Sequence, residues 1–283
     1  MNLKRLRQAI RQIKTDIEQA ITSASFNGKT YENGQKAKEA LIRSSRLILQ
    51  IHEVTKQSLE EVLCKRATPY SINPPLGHSS PELVVTGFIK KKKQDIVVLV
   101  ENIQPRRELI SEGLLEGTKD NLGKDVSEAA IVIGVRSQLS SVSKNFDTLM
   151  ERAFAETLNL RLRLPRLVMG EVYLLPVVEY DDEAMKNNRV AFKRSNTNLG
   201  KFIRTFYGIS GRSANETDAL YKYERTALIL VDFRRTPPKL FMSPDDLLRA
   251  GLNTEMVKKY ASLSPEGFAS DITKVHAERH GFS

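Results

Sequence analysis

The chain has 283 residues, 40% hydrophobic and 28% charged, and a formal net charge of +10 at pH 7. That length supports a substantial core in one large domain or two, and a basic balance of this size favours polyanionic partners. One cysteine, Cys64, excludes an intramolecular disulfide framework and an all-cysteine zinc site.

No uninterrupted apolar run approaches the ~20 residues that span a bilayer. The basic N-terminus also lacks the apolar segment of a signal peptide. A cytosolic protein with no membrane partner is therefore expected. His276 and His280 are four apart, the spacing of two ligands on one helix face, but no third ligand type clusters near them and they sit at an end expected to fray.

Leu3, Leu6, Ile10, Ile13, Ile17 and Ile21 recur at three- and four-residue steps and predict an amphipathic helix over the first 21 residues. Lys4, Arg7, Arg11 and Lys14 occupy its other faces. After turns at Asn27-Gly28 and Asn33-Gly34, the stripe Ala37, Leu41, Ser44, Ile48, Ile51 and Val54 predicts one long helix to about Leu63. Pro69, Pro74, Pro75 and Pro81 then interrupt the chain. This divides a helical N-terminal region, 1–68, suited to DNA contact or dimerisation, from a core over 69–283.

In that core the run Lys90 to Lys93 leads through Asp95 into the apolar strand 96–100. A charged, glycine-bearing segment from Gln104 to Lys124 reads as loop with a helical turn or two. A second strand, 131–135, opens onto Arg136-Ser137-Gln138, and a helix follows from about Ser140 to Leu158. Further strands are expected over 172–178 and 226–233, and short helices from Ser243 onward. Strands alternating with helices imply a mixed α/β or α+β fold with one central sheet flanked by helices.

An aspartate at the start of a buried strand can hold a divalent metal through hard oxygen; the competing reading of Asp95 is an edge-strand guard against strand addition. Side chains alternate along a strand, so Arg136 and Gln138 share one face. On the following helix, burial favours Glu156 as the functional acid, because an acid near a core stripe needs a partner. Proximity to the strand end favours Glu151, and the sequence leaves the two open. Glu171 with Glu179 and Asp232 with Arg234 are weaker acid sites; the first lacks basic residues nearby in the chain. There is no phosphate-binding Gly-rich loop or dinucleotide fingerprint.

The pattern Asp95 … Arg136-Ser137-Gln138 … Glu151 resembles the PD-(D/E)xK nuclease superfamily, and within it a type II restriction endonuclease. The phrases Gly87-Phe88-Ile89 … Gln94-Asp95-Ile96-Val97, Lys144-Asn145-Phe146-Asp147 and Asn33-Gly34-Gln35-Lys36 extend the resemblance over about residues 26–180. It implies a restriction-endonuclease-like core in which Asp95 and Glu151 hold Mg2+. Gln138 then stands where the motif has lysine, and the motif proline is replaced by Gln94. A glutamine can orient water or phosphate but carries no charge, so Arg136 or a lysine of the 90–93 run would supply it. The activity implied is cleavage of double-stranded DNA at a specific site, leaving 5′-phosphate ends.

A palindromic site implies a homodimer. A restriction system implies a cognate DNA methyltransferase and a bacterial or archaeal cytoplasm. DNA contacts are expected from Lys91, Lys92 and Lys93, and from the basic, aromatic region 193–212 through Lys193, Arg194, Asn196, Asn198, Lys201 and Arg204, types that pair with base edges and phosphates. That region reads equally as a solvated loop with Phe202 and Phe206 in the core. The reading from another class is a non-catalytic DNA-binding or regulatory protein.

Overall fold

The apolar stripe of the first segment winds into helix α1 (Leu3–Ser23), whose first turn is capped by the Asn2 side chain accepting from the Arg5 amide. The computed structural model describes residues 1–111 and 113–282. Leu6, Ile10, Ile13, Ile17 and Ile21 are fully buried, while Lys4, Arg7 and Arg11 are exposed. Lys14, placed with them off the apolar stripe, does not share their exposure. It is buried, and its Nζ donates to the Arg235 carbonyl at 2.8 Å and to Thr236 Oγ1 at 3.0 Å.

The single helix expected to Leu63 is two, α2 (Gly34–Arg43) and α3 (Arg46–Leu63). Ser45 is left-handed at φ 64°, and Ser44 Oγ donates to the Leu41 carbonyl while accepting from the Arg46 amide. Short hydroxyl side chains compete with the backbone for its own hydrogen bonds, and here two in succession break the run. The stripe shifts as a result: Leu47 rather than Ile48 is buried, and Ser44 is exposed.

The proline-rich connection contains strand β1 (Tyr70–Asn73). Strands β2 (Leu83–Thr86) and β3 (Lys91–Gln94) form an antiparallel ribbon, so most of the lysine run is itself a strand. It passes through Asp95 into β4 (Ile96–Val100). The segment 104–124 holds a short strand pair, 108–109 with 119–120, and a 3-10 turn at 113–115; residue 112 lies outside the described residues. Then come β5 (Ile131–Ser137), α4 (Phe146–Arg161), β6 (Val168–Pro176), α5 (Leu199–Gly208), β7 (Arg225–Asp232) and β8 (Lys239–Leu240). After two short helices the chain ends in α6 (Phe268–His280). Helix α4 begins later than the sequence predicts, because residues 139–145 run as turns.

The main sheet has the order β1-β4-β5-β6-β7-β8. β4 is antiparallel to β1 and β5; β5, β6 and β7 are mutually parallel; β8 closes the far edge antiparallel. Parallel neighbours require crossovers, which α4 and α5 supply. β6 and β7 are buried along their whole length, as strands covered on both faces must be. One face packs on α1, α2, α3 and α6 through a cluster that includes Ile17, Ile51, Ile133, Val172 and Phe268. The other packs on α4 and α5 through Val132, Ala153, Tyr173 and Phe202. The N-terminal helices therefore share a core with the sheet. Among the described residues no helix is long and apolar enough to cross a membrane.

The C-terminal helix is docked rather than frayed. His276 is buried with Nε2 at 2.7 Å from the Ala129 carbonyl, and burial lowers its pKa to about 4. Its ring lies 5.0 Å from that of His280, which burial likewise lowers to about 4.

Below the sheet, Glu224 is fully buried among Arg161, Arg212 and Arg279. Its carboxylate also accepts from the Met169 amide at 2.6 Å. The guanidiniums spend their other N–H groups on carbonyls of Pro165, Leu167, Ser213, Ala214 and Asp218, tying the 209–224 loop to the sheet. Removing one member of a buried ion pair strands its partners, at a cost of about 3–5 kcal/mol. Glu224→Ala should lose that much in urea unfolding; a change under about 1 kcal/mol would mean that the carbonyls alone hold the arginines.

Candidate functional site

Antiparallel pairing of β4 with β5 brings the start of one strand against the end of the other. Asp95 Oδ2 accepts from the Val135 amide at 2.7 Å. On the α4 side of β5, the Arg136 Nε lies 3.1 Å from Glu171 Oε1, and its Nη2 pairs with Glu156 Oε2. The other oxygen of Glu156 pairs with Lys92 from β3. The result is a chain of alternating charge, Lys92–Glu156–Arg136–Glu171, with Asp95 beside it.

Glu171 is the unusual member. It sits in the middle of fully buried β6, and Oε2 is buried without a hydrogen-bond partner. Burial pushes its carboxyl up to about 8, against the opposing pull of Arg136. Glu171 holds Arg136 above the ordinary guanidinium value, with Glu156 adding to it. Space for Glu171 comes from Gly134, its parallel partner on β5: a Cβ there would fall 2.3 Å from Oε2. A glycine inside a strand often marks such a close approach, and this one was the available sequence signal for Glu171.

A cleft of about 810 Å³ opens over this cluster, lined by Lys90, Lys92, Arg136, Gln138, Arg152, Glu156 and Tyr173, with Ile42 and Ile48 across it. Gln138 Nε2 donates to the Ser140 carbonyl, and its Oε1 accepts from the Tyr173 hydroxyl at 3.5 Å. A second cleft, about 700 Å³, reaches Asp95 from the α1–α3 side with Gln8, Gln12, Gln50 and His52. Burial lowers the His52 pKa, while Asp95 and a hydrogen bond with the Val135 backbone oppose that.

The structure thus brings together Asp95, Arg136, Gln138 and Glu156, and adds Lys92, Glu171 and His52. It does not bring in Glu151, which is exposed on α4 and lines neither cleft. Five residues of helix separate the two acids by ~140° around the axis, so only one can face the sheet. Lys92 points into the ion chain, whereas Lys91 and Lys93 are exposed.

In the 193–212 region Phe202 and Phe206 are core residues, and Arg212 belongs to the Glu224 cluster. Asn198 caps α5 by accepting from the Lys201 amide at 3.1 Å. Lys193 pairs with Asp182 at 3.0 Å and Glu179 at 3.4 Å; Lys201 pairs with Asp147 at 3.4 Å and lies over the Phe146 ring. Arg194, Asn196 and Arg204 are exposed.

Among the described residues no three or more His, Cys, Asp or Glu side chains are grouped as a metal cage. Magnesium does not require one: it binds through one or two carboxylates and completes its shell with waters and phosphate oxygens. The orphaned Glu171 Oε2, near the Asp95 carboxylate, is a donor of the hard-oxygen type that such an ion takes. The chain matches no protein-family model, no curated protein and no solved structure.

Proposed function

We propose that the protein is a magnesium-dependent endonuclease that cuts double-stranded DNA at a specific site, a type II restriction endonuclease with a PD-(D/E)xK-like core. The observation that carries this reading is the ion chain Lys92–Glu156–Arg136–Glu171 beneath an open cleft bearing Lys90, Lys92 and Arg152, with Asp95 beside it at the start of β4 and reached by the second cleft.

Asp95 and Glu171 would hold the ion in place of the expected pair Asp95 and Glu151. Magnesium, when bound, supplies positive charge to the phosphate under attack and acidifies a water. Arg136 occupies the place where a cation is needed next to the acids, which the glutamine at 138 cannot fill. Glu156 fixes Arg136 from the helix side and Glu171 fixes it from the sheet, so the guanidinium is oriented before any phosphate arrives. Gln138, held by Ser140 and Tyr173, presents its amide at the cleft wall and can orient a water or a phosphate oxygen. Restriction further implies a homodimer, a companion methyltransferase and a cytoplasmic location in a bacterium or archaeon.

One observation favours the other reading, a non-catalytic DNA-binding or regulatory protein: Lys92 and Arg136 are both engaged by the protein's own carboxylates. Plasmid digestion separates the two. Linear fragments with 5′-phosphate ends in Mg2+ and none in EDTA are expected; binding without cleavage in both would overturn the nuclease.

A further inference from the structure

We propose that a basic cleft between α1 and the β7–β8 turn seats the phosphate backbone of duplex DNA at the same end of the sheet as the cutting site. This rests on the nuclease reading and extends it to a surface outside the chemistry. The cleft, about 570 Å³, is lined by Arg7 and Arg11 of α1, by Arg235 and Lys239, and by Pro237 and Met242. All four cations are exposed.

Two acids lower the local charge: Asp246 pairs with Lys239, and Asp232 lies 4.0 Å from Arg235 while bonding Arg234 more closely. Arg7 and Arg11 form no ion pair among the described residues, so the cleft keeps an uncompensated positive charge. One helical turn separates them, ~6 Å along the axis. That spacing suits a repeating polyanion, whose phosphates recur every ~3.4 Å of duplex axis per strand, better than one compact anion. The surface is also concave, which fits a sugar–phosphate ridge rather than a flat bilayer.

β5, β6 and β7 run parallel, so the β7–β8 turn lies at the same end of the sheet as Arg136. Three strand spacings, ~14 Å, separate β5 from β8, about four base steps of duplex. Lys14 fixes the geometry from beneath: by holding the Arg235 carbonyl and the Thr236 hydroxyl it sets the turn against α1.

The test is duplex binding by fluorescence anisotropy across a salt series, with Ca2+ replacing Mg2+, for wild type and the triple variant Arg7→Ala/Arg11→Ala/Arg235→Ala. Each lost phosphate contact removes ~0.9 from the slope of log K against log salt. The triple variant should therefore lose ~2.7 of slope and bind more weakly at low salt, with an unchanged single-turnover rate in Mg2+ at saturating enzyme. The Lys replacements at the same positions should restore the slope, which separates charge from folding. A wild-type slope in the alanine variant overturns the cleft while leaving the nuclease reading intact. No duplex binding by wild type at any salt overturns both. A slope loss seen with single-stranded RNA or anionic vesicles, and not with duplex DNA, overturns the proposed partner.

Discussion

Glu171→Gln is expected to abolish magnesium-dependent cleavage, by ~1,000-fold or more in single turnover, and at the same time to make the protein more stable at pH 8. The two effects have one origin. A carboxylate placed in a wholly buried strand with one oxygen unpartnered is there at the expense of stability. Its pKa is raised by burial from an ordinary 4.5 to about 8, so the folded state holds a proton that the unfolded state has released. The resulting stability is complete below about pH 4.5, fades as pH climbs from there, and is gone above about 8. Glutamine has no such ionisation and can still accept from Arg136. Melting curves in EDTA should therefore show the variant above wild type at pH 8, with the gap closing towards pH 5. A variant that cuts like wild type removes Glu171 from the chemistry; one destabilised at pH 8 shows that Arg136 requires the charge in order to fold.

The second large effect is expected at Asp95. Asp95→Asn should fold as wild type does, since the amide oxygen can still accept from the Val135 N–H, yet lose cleavage by a similar factor, because a neutral amide is a poor ligand for a hard cation. Asp95→Ala should lose cleavage and also about 1 kcal/mol of stability, from the amide left without its acceptor. Both should bind duplex at least as tightly as wild type, because a negative charge near the phosphates is gone. The comparison separates the bond by which Asp95 closes the end of β5 from its proposed part in the chemistry. Retained magnesium-dependent cutting by Asp95→Asn would sink the metal-ligand role.

How much of this was legible in the sequence depends on range. The central strands were, because strands covered on both faces are written as unbroken apolar runs, as in 96–100 and 227–231. Asp95 was legible for the same reason: it is the polar residue at the edge of such a run. The break at Ser44–Ser45 was missed because the apolar stripe continues across it, and only local hydroxyl chemistry ends the helix. Strand β1 was hidden among prolines. Glu171 was set aside for want of basic neighbours, a judgement that holds along the chain and fails across the sheet. The parallel register that places Tyr173 opposite Arg136 and Glu171 opposite Gly134 is a non-local fact. Between Glu151 and Glu156 the sequence set burial against distance from the strand end; the structure buries Glu156 against Arg136 and leaves Glu151 exposed, a helix-packing fact that spacing along the chain does not carry.

The ribbon of β2 and β3 is joined to α4 at its tip by a single residue. Asn159 Oδ1 accepts from the Ile89 and Lys90 amides at 2.8 and 2.9 Å, its Nδ2 donates to the Lys90 carbonyl, and its backbone carbonyl accepts from Phe88. Hairpin tips usually fray independently of what lies beneath them. Here the tip leaves by losing three bonds to the Asn159 side chain and one to its backbone carbonyl, and the same departure separates Lys92 from Glu156. Access to the cleft from that side is therefore tied to the contacts that Asn159 and Glu156 of α4 make with the ribbon, rather than to a freely moving loop.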